Sequence, residues 1–539
     1  MKKMVAFVLA VMMLTAMLIG CTGQKENTPE AVSTNTVSTQ AVETTPEPQK
    51  PEEVKIVWYW NNGGVQLPED SYIVKKVKED LNITYVHAKP ASTEYEETLN
   101  LMLASGEQLD VINCDGTLKQ RLIKDGVLQP IDDYLNDKYV GNLIRISNQW
   151  KKAMELVKYS DGKRYTVPVT NNMSRAGDYY IRMDWLKNLG LQVPSTMDEL
   201  KDVLVQFTKN DPDQNGKDDT WGTAASEIWG AYSFATNLGC QYGNYYKTDD
   251  GNVTYFMFHP RVKEWIRYVK SLLDSKAMDP EILTLKYEQV IDMIKAGKVG
   301  FYAGYNQASD KDVEEIKKVH SAAEYEPMPA PKGIYDEGYY DANSVLREET
   351  AVSTKCNDVE AVFRLINYFA DDKSTADNLD FTGTYFPARY GQQGVNWDVK
   401  DGLLDNSSQK FADQNKIDIW AGGKAGRFRS RYDMSWIKLL PQREQNNINK
   451  IINYKNIYNI PASHPASPIS GEGIMLPDEA AALQDEFSAK FDIYFANAAL
   501  GKVDIDKGFD DFMAEADKAG YKDYVAAVTQ IMKENGRLK

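Results

Sequence analysis

The chain has 539 residues, with 62 Lys and Arg against 78 Asp and Glu and a net charge of −16 at pH 7. Phosphate recognition needs concentrated basic residues, so nucleic acid is not an expected partner, and a polyanionic ligand is disfavoured unless a local basic pocket overrides the balance. Aromatic residues make up 11%, including 32 Tyr and 10 Trp, and this Tyr surplus points to surfaces with apolar bodies and polar tips as well as to cores.

Lys2 and Lys3 precede an apolar run from Val5 to Ile19, broken only by Thr15 and closed by Leu18-Ile19-Gly20-Cys21. The run is shorter than the roughly 20 residues a membrane span needs, so residues 1–20 read as a secretory signal peptide. The tetrad ending at Cys21 resembles a bacterial lipobox. That implies cleavage before Cys21, its acylation with a fatty chain such as palmitate, and a protein anchored on the extracellular face of the cell membrane. The alternative is an uncleaved anchor that Cys21 merely ends. From Thr22 to Glu53 there is no aromatic residue and no Leu, Ile, Met or Phe. Such a segment cannot offset its ordering entropy, so residues 21–53 are expected to be a disordered tether.

Folding is expected from Val54 onward, and the remaining length exceeds one compact core. Val54–Trp60 is β-branched and aromatic and reads as a strand ending in the turn Asn61-Asn62-Gly63-Gly64. Ser71–Leu81 reads as a helix and Ile83–His87 as a second strand. Thr93 and Glu96 suggest a capping box for a helix that Gly106 stops, and Asp110–Cys114 is a third strand. Strands alternating with helices indicate an α/β lobe with a largely parallel sheet. Tyr179–Arg182 is a further strand, and Asp184–Leu189 a short helix closed by Gly190. Thr196 and Glu199 suggest another capping box, with Leu200, Val203, Leu204 and Phe207 on one face. Helices follow at about Val262–Leu273 and Tyr287–Ala296, a strand at Lys298–Ala303, a helix at Cys356–Ala370, and mostly helix over the last 60 residues.

Local catalytic signatures are lacking. Cys114, Cys240 and Cys356 are widely spaced and allow at most one intramolecular disulfide, and no CxxC, HExxH, GxSxG, P-loop or GxGxxG occurs. The sharpest chemical signal is Asp211-Pro212-Asp213-Gln214-Asn215-Gly216-Lys217-Asp218-Asp219. Oxygen side chains at relative positions 1, 3, 5 and 9, with Gly at 6, match the first part of an EF-hand loop. Asp211, Asp213, Asn215 and Asp219, with the Lys217 carbonyl, are therefore expected to hold a structural Ca²⁺. Gly222 stands where an EF-hand has its bidentate Glu. A solvated acidic turn is the alternative.

The stretch Tyr180–Leu200, with Asp184-Trp185-Leu186, Gly190 and Pro194, running into Asp211–Gly222, closely resembles extracellular solute-binding lipoproteins of carbohydrate ABC importers. These are the maltose-binding-like family 1, in its branch with a calcium loop. Leu99–Gly106, Gly126–Leu135, Ala296–Gly300 and Tyr390–Trp397 agree with it. Some relatives carry Glu at the position of Thr220. The resemblance implies an α/β, two-lobe, periplasmic-binding-protein-like fold (type II, Venus-flytrap) with discontinuous lobes. Lobe one is assigned to 54–167 plus 345–387, and lobe two to 170–342 plus 388–539. The chain would cross near Val167–Thr170, Ala342–Val345 and Pro387–Tyr390. It further implies a monomer that presents an oligosaccharide to ABC permease subunits.

Ligands of parallel sheets sit beyond the carboxyl ends of strands, and sugars need aromatic platforms beside polar hydrogen-bonding groups. Candidate contacts in lobe one are Trp60 and Asn61 after the first strand and Asp115 after the third; turn formation is an equal reading for Asn61. In lobe two, Tyr305 and Asn306 follow a strand, while Trp229 and Tyr232 share a helical face, with core packing as the competing role. Tyr385 and Arg389 flank a crossing, and Trp397 lies in a matching segment. Arg427, Arg429 and Arg431 form a basic cluster suited to an acidic ligand or to surface ion pairs. The expected function is non-enzymatic capture and delivery of an oligosaccharide. A secreted glycoside hydrolase would need a carboxylate pair that nothing in the sequence marks, and a surface sugar sensor would share the same tether.

Overall fold

The fold is that of a computed structural model, which describes residues 52–60, 69–88, 95–171, 178–225, 227–283, 285–304, 310–335, 337–339, 345–375, 378–405, 438–439, 442–454, 464 and 467–538. The expected signal peptide, Cys21 and the tether as far as residue 51 lie outside these residues, as do Asn61, Thr93, Tyr305, Asn306 and the Arg427–Arg431 cluster; Glu53, at the expected end of the tether, pairs with Lys78. In chain order the strands are β1 (Val54–Tyr59), β2 (Ile83–His87), β3 (Val111–Asn113), β4 (Thr166–Thr170), β5 (Asp178–Arg182), β6 (Trp221–Thr223), β7 (Tyr245–Lys247), β8 (Val253–Tyr255), β9 (Val299–Gly304), β10 (Tyr325–Met328), β11 (Leu346–Val352), β12 (Asp398–Lys400) and β13 (Leu403–Asp405).

Two separate sheets carry the fold. The first has the order β2-β1-β3-β11-β4. β1 pairs parallel with β2 and β3, because helices Tyr72–Leu81 and Tyr95–Ala104 carry the chain back between strands. β11 is antiparallel to both β3 and β4. Alternation along β1 sends Ile56, Trp58 and Trp60 into one core, with Val77, Phe363 and Ile366, and Val57 and Tyr59 into another, with Leu99 and Ile112.

β11 also brings a charge inside. Glu349 Oε2 lies 2.7 Å from Lys119 Nζ, and both side chains are 6% exposed. Thr166 Oγ1 donates to the same carboxylate at 2.5 Å. The pair ties the helix Gly116–Lys124 to the one strand that returns from the other sheet.

The second sheet has the order β10-β5-β9-β6, with β5 antiparallel to both neighbours and β6 parallel to β9. It is therefore mixed, as is the first, where β11 alone runs against its neighbours. Gly190 ends the helix Met183–Leu189 at φ 67, a left-handed position that suits glycine. The Thr196 side chain caps Met197–Lys209 by accepting from the Glu199 amide. Glu199 in turn accepts from the amide of Ser195, one residue earlier than a capping box requires. Helices Asp478–Ala499, Ile505–Ala519 and Tyr521–Glu534 fill the end of the chain as expected. Phe487, Phe491, Phe495 and Phe512 bury an aromatic stack against Phe258 and Trp265 of the same core. The chain leaves the first sheet after Thr170 and returns before Leu346. Ala388, assigned from the sequence to the start of lobe two, packs in the first sheet's core instead.

In the second sheet's lobe, His259 packs 4.6 Å from the Tyr246 ring, and its Nδ1 accepts from the Arg261 amide at 3.4 Å. Desolvation, with the Arg261 charge second, lowers its pKa to about 4. The unfolded chain binds this proton near pH 6.5 and the folded chain does not, so His259 removes stability as pH falls from 6.5 towards 4. His259→Asn keeps an acceptor for the Arg261 amide and is expected to flatten the fall of Tm across that window, measured against wild type by calorimetry. Removing one partner of the Lys119–Glu349 pair strands a buried charge, so Lys119→Ala or Glu349→Ala is expected to cost about 3–5 kcal/mol in urea unfolding. The double change Lys119→Met, Glu349→Leu should cost clearly less than either single one.

Candidate functional site

β1, β3 and β4 run the same way and end on one edge of the first sheet, and β11 begins there. Ligands of such sheets sit at this edge. Asn113, the last residue of β3, organises it. Its Oδ1 accepts from Trp58 Nε1 at 2.8 Å, and its Nδ2 donates to Glu348 Oε1 at 2.6 Å. The Tyr95 hydroxyl donates to the Asn113 carbonyl at 2.5 Å, and burial, with Cys114 and other acidic neighbours behind it, pushes the Tyr95 phenol up. Asp115 follows, exposed, at the N-cap of Gly116–Lys124 with no side-chain capping bond.

The passage between sheets is built beside this edge. Thr170 pairs with Leu346, and the Asn171 amide donates to the Val345 carbonyl at 2.9 Å. The Leu346 amide donates to Glu472 Oε1 at 2.6 Å, and the Arg537 guanidinium donates to the Ser470 and Glu472 carbonyls. Three distant segments of chain thus meet where β4 leaves and β11 enters.

The sequence-derived candidates divide sharply. Asp115 is exposed at the edge, and Arg389 is half-buried over the Tyr390 ring at 5.4 Å. Trp60 is a correction: it is 5% exposed and packs 5.1 Å from His87 in the core, because it shares the inward face of Trp58. Trp397 is another. Its indole donates to the Gly391 carbonyl at 2.8 Å, and it packs with Tyr385 and Phe386 in a small separate core, so neither Trp397 nor Tyr385 offers an open platform. Tyr232 is buried as well, in an aromatic group with Tyr242, Phe256 and Trp265. Trp229 lies in the helix Glu227–Ala235, and its side chain is outside the described set. Sequence reasoning missed Asn113, Tyr95 and Glu348. The one signal for them is the doublet Glu348-Glu349 inside a strand, where alternation must send the two carboxylates to opposite faces.

The Asp211–Asp219 loop gathers oxygen atoms. Asp211 accepts through its two oxygens from the Asn215 and Gly216 amides, at 3.0 and 2.9 Å. Asn215 Nδ2 bridges Asp213 Oδ2 at 2.9 Å and Asp219 Oδ1 at 3.1 Å. Gly216 sits at φ 76, where a side chain would be strained. Burial and the neighbouring Asp211 raise the Asp213 pKa. Lys217 points its amide at Asn215 Oδ1, at 2.7 Å. Among the described residues no group of three or more His, Cys, Asp or Glu side chains is arranged to hold a metal; here the acids are joined through an amide. No helix among the described residues is long and apolar enough to cross a membrane.

Residues 64–376 match the family of bacterial extracellular solute-binding proteins. The chain belongs to this family. It is 28% identical over 331 residues to the polygalacturonan/rhamnogalacturonan-binding protein YtcQ of Bacillus subtilis, covering 58% of this chain and 61% of that one. It is 26% identical over 251 residues to the fructooligosaccharide ABC transporter substrate-binding protein FusA of Streptococcus pneumoniae, covering 44% and 46%. The chain thus spans about three fifths or less of these two relatives' lengths. Lipoprotein LipO of Bacillus subtilis is 25% identical over 419 residues, 75% of each chain. Among solved structures, alginate-binding protein AlgQ2 without calcium ion aligns with a TM-score of 0.68 at 18% identity, covering 89% of this chain and 98% of that one. An EF-hand mutant of FusA in complex with fructo-nystose aligns at 0.66 and 19%, covering 90% and 100%. These neighbours establish the two-lobe α/β fold of solute-binding proteins.

Proposed function

We propose that this family member is the substrate-binding component of an ABC importer, capturing an oligosaccharide between its two lobes and handing it unaltered to permease subunits. The observation that carries the reading is the side-by-side pairing of β4 and β11 in the first sheet, after which the chain leaves for the second sheet and before which it returns, at the edge where Asn113, Asp115 and Glu348 stand. With the exit from β4 and the entry to β11 side by side, the lobes can rotate while that strand pair stays intact. Ligand that touches both lobes only in the closed form then shifts that equilibrium by its differential affinity. Relatives named for fructooligosaccharide and polygalacturonan binding support a carbohydrate ligand. The Leu18–Cys21 tetrad supports signal cleavage and lipid anchoring of a monomer on the outer face of the membrane, with residues 21–53 as its leash. No bond is made or broken in this function.

The reading is tested by scattering and thermal shift together, over neutral and acidic oligosaccharides. A cognate sugar at about 100 times its Kd is expected to add about 2.7 kcal/mol to folded-state stability and to raise Tm. The same sugar should shrink the radius of gyration, with no new reducing ends released. Sugar-independent scattering alongside hydrolysis would refute the proposal.

For the Asp211–Asp219 loop we propose a structural Ca²⁺. The donor set fits: Asp211, Asp213, Asn215 and Asp219 supply hard oxygens, and Lys217 a carbonyl. Asn215 Nδ2 occupies the point between two carboxylates that a cation would neutralise, so binding requires the Asn215 amide to turn its oxygen inward. Calcium added to chelator-treated protein is expected to raise Tm in the wild type and to leave Asp213→Ala unchanged. Equal responses in the two proteins would remove this site.

A further inference from the structure

Residues 469–473 are rooted in the second lobe, yet they reach the strand that enters the first. The Ile469 and Tyr245 amides each donate to the other's carbonyl, at 2.7 and 2.9 Å, and the Arg537 guanidinium donates to the Ser470 and Glu472 carbonyls. Arg537 is itself fixed: its amide and that of the buried Leu538 donate to the carbonyl of Met532, in the second lobe's core. On the other side, Gly473 passes the helix Trp150–Leu156, which packs on β4. A Cβ at Gly473 would stand 2.9 Å from the Leu156 carbonyl oxygen.

Between these two anchorages lies a single peptide unit. The Val345 carbonyl accepts from the Asn171 amide at 2.9 Å, on the side of β4. A trans peptide points its C=O and N–H in opposite directions, so the Leu346 amide faces away from β4. There it donates to Glu472 Oε1 at 2.6 Å. The same plane is held from both sides, by the chain leaving the first sheet and by a side chain carried on the second lobe. Val345 is buried beside Ala153 and Leu156, where an amide left without an acceptor would be costly. Immediately beyond, the pairing of β11 with β4 shifts register between Leu346 and Glu348. Such a break in the ladder lets a strand bend, so the chain can flex next to the gripped plane.

We infer that Glu472 is a positioning residue for lobe closure: it holds the Val345–Leu346 peptide as the pivot about which the lobes turn, without touching the ligand. The inference rests on the import reading above. A fixed acceptor at the pivot lets the lobes rotate but not slide, so the unliganded chain visits few arrangements besides those that closure uses. Losing the tie enlarges that set, and the closed, bound form then costs more ordering entropy. Affinity falls although no ligand contact is lost. Glutamine keeps a carbonyl oxygen in the place of Oε1 and can accept from the Leu346 amide, whereas alanine cannot. Arg537 acts through the same segment, by holding the backbone from which Glu472 reaches out.

The experiment uses the full mature chain, with neutral fructo- and xylo-oligosaccharides and acidic oligogalacturonates as probes. Titration calorimetry reads affinity, X-ray scattering reads shape with and without sugar, and Tm controls for folding. For the probe that wild type binds most tightly, Glu472→Ala is expected to weaken binding about tenfold, the size expected for losing a hydrogen bond to a charged acceptor. It should also enlarge the radius of gyration of the sugar-free protein. Glu472→Gln should match wild type in both. Glu472→Asp draws the carboxylate back by one methylene and should shift both readouts in the direction of alanine, which keeps the test open should Glu472→Ala not fold. Arg537→Ala should weaken binding too, and combined with Glu472→Ala it should cost less than the product of the two single effects. A folded Glu472→Ala or Glu472→Asp that binds and scatters as wild type does overturns the pivot alone. So does tighter binding by either, which would make the bond a latch of the open form, and so does a Glu472→Gln as weak as alanine. Wild type that no probe binds or compacts refutes the import reading, and the pivot with it.

Discussion

Two passages of chain, Thr166–Thr170 leaving the first sheet and Leu346–Val352 returning to it, run antiparallel side by side, and the rest of the structure depends on that pairing. Because the return strand enters between β3 and β4, it reverses direction within an otherwise parallel sheet. It also carries Glu349 into the interior, where Lys119 must meet it. The same strand sets Glu348 at the edge with Asn113. One register therefore fixes both a buried charge pair of the first lobe and the polar contacts at the edge where β3 ends. The third segment, around Ser470–Glu472, is clasped from the far end of the chain by Arg537 and closes on Leu346. Residues more than 100 positions apart thus share one short stretch of backbone.

The two lobes solve the core problem differently. The first relies on a sheet covered on both faces, with Trp58 and Tyr59 buried on opposite sides. The second has a small mixed sheet and leans on helices, above all the three C-terminal ones, whose Phe and Tyr side chains meet Phe258 and Trp265. The large aromatic content follows from this. Many of the described rings are structural, held in tilted or edge contacts, and a ring can reach solvent on top of a buried one. Tyr242 on Tyr232 is such a case: the buried ring supplies the foundation and the exposed one the surface.

Charge is arranged with the same economy. The chain is acidic overall, yet the buried acid Glu349 has its own lysine, Arg182 grips Asp184 bidentately, and the acids of the Asp211–Asp219 loop are bridged by an amide. Asp115, left accessible, stands at the N-cap of Gly116–Lys124 without a side-chain capping bond. The thiols take no part. Burial pushes Cys356 up to about 12 and Cys114 and Cys240 higher, which keeps them protonated and unreactive.

The sequence by itself determined the local elements and the family. Periodicity and capping located strands such as Ile83–His87 and helices such as Tyr72–Leu81 nearly to the residue, because those signals are written within one turn or one strand. The oxygen spacing of Asp211–Asp219 was legible for the same reason. What only the tertiary structure decided is which of the candidate side chains are buried in a core. Trp60 and Trp397 have the composition of sugar platforms, but they are core residues: a strand's inward face and a turn's own carbonyl claimed them first. Asn113 and Glu348 are separated by 235 positions and touch because β11 pairs with β3, a contact that no local pattern encodes.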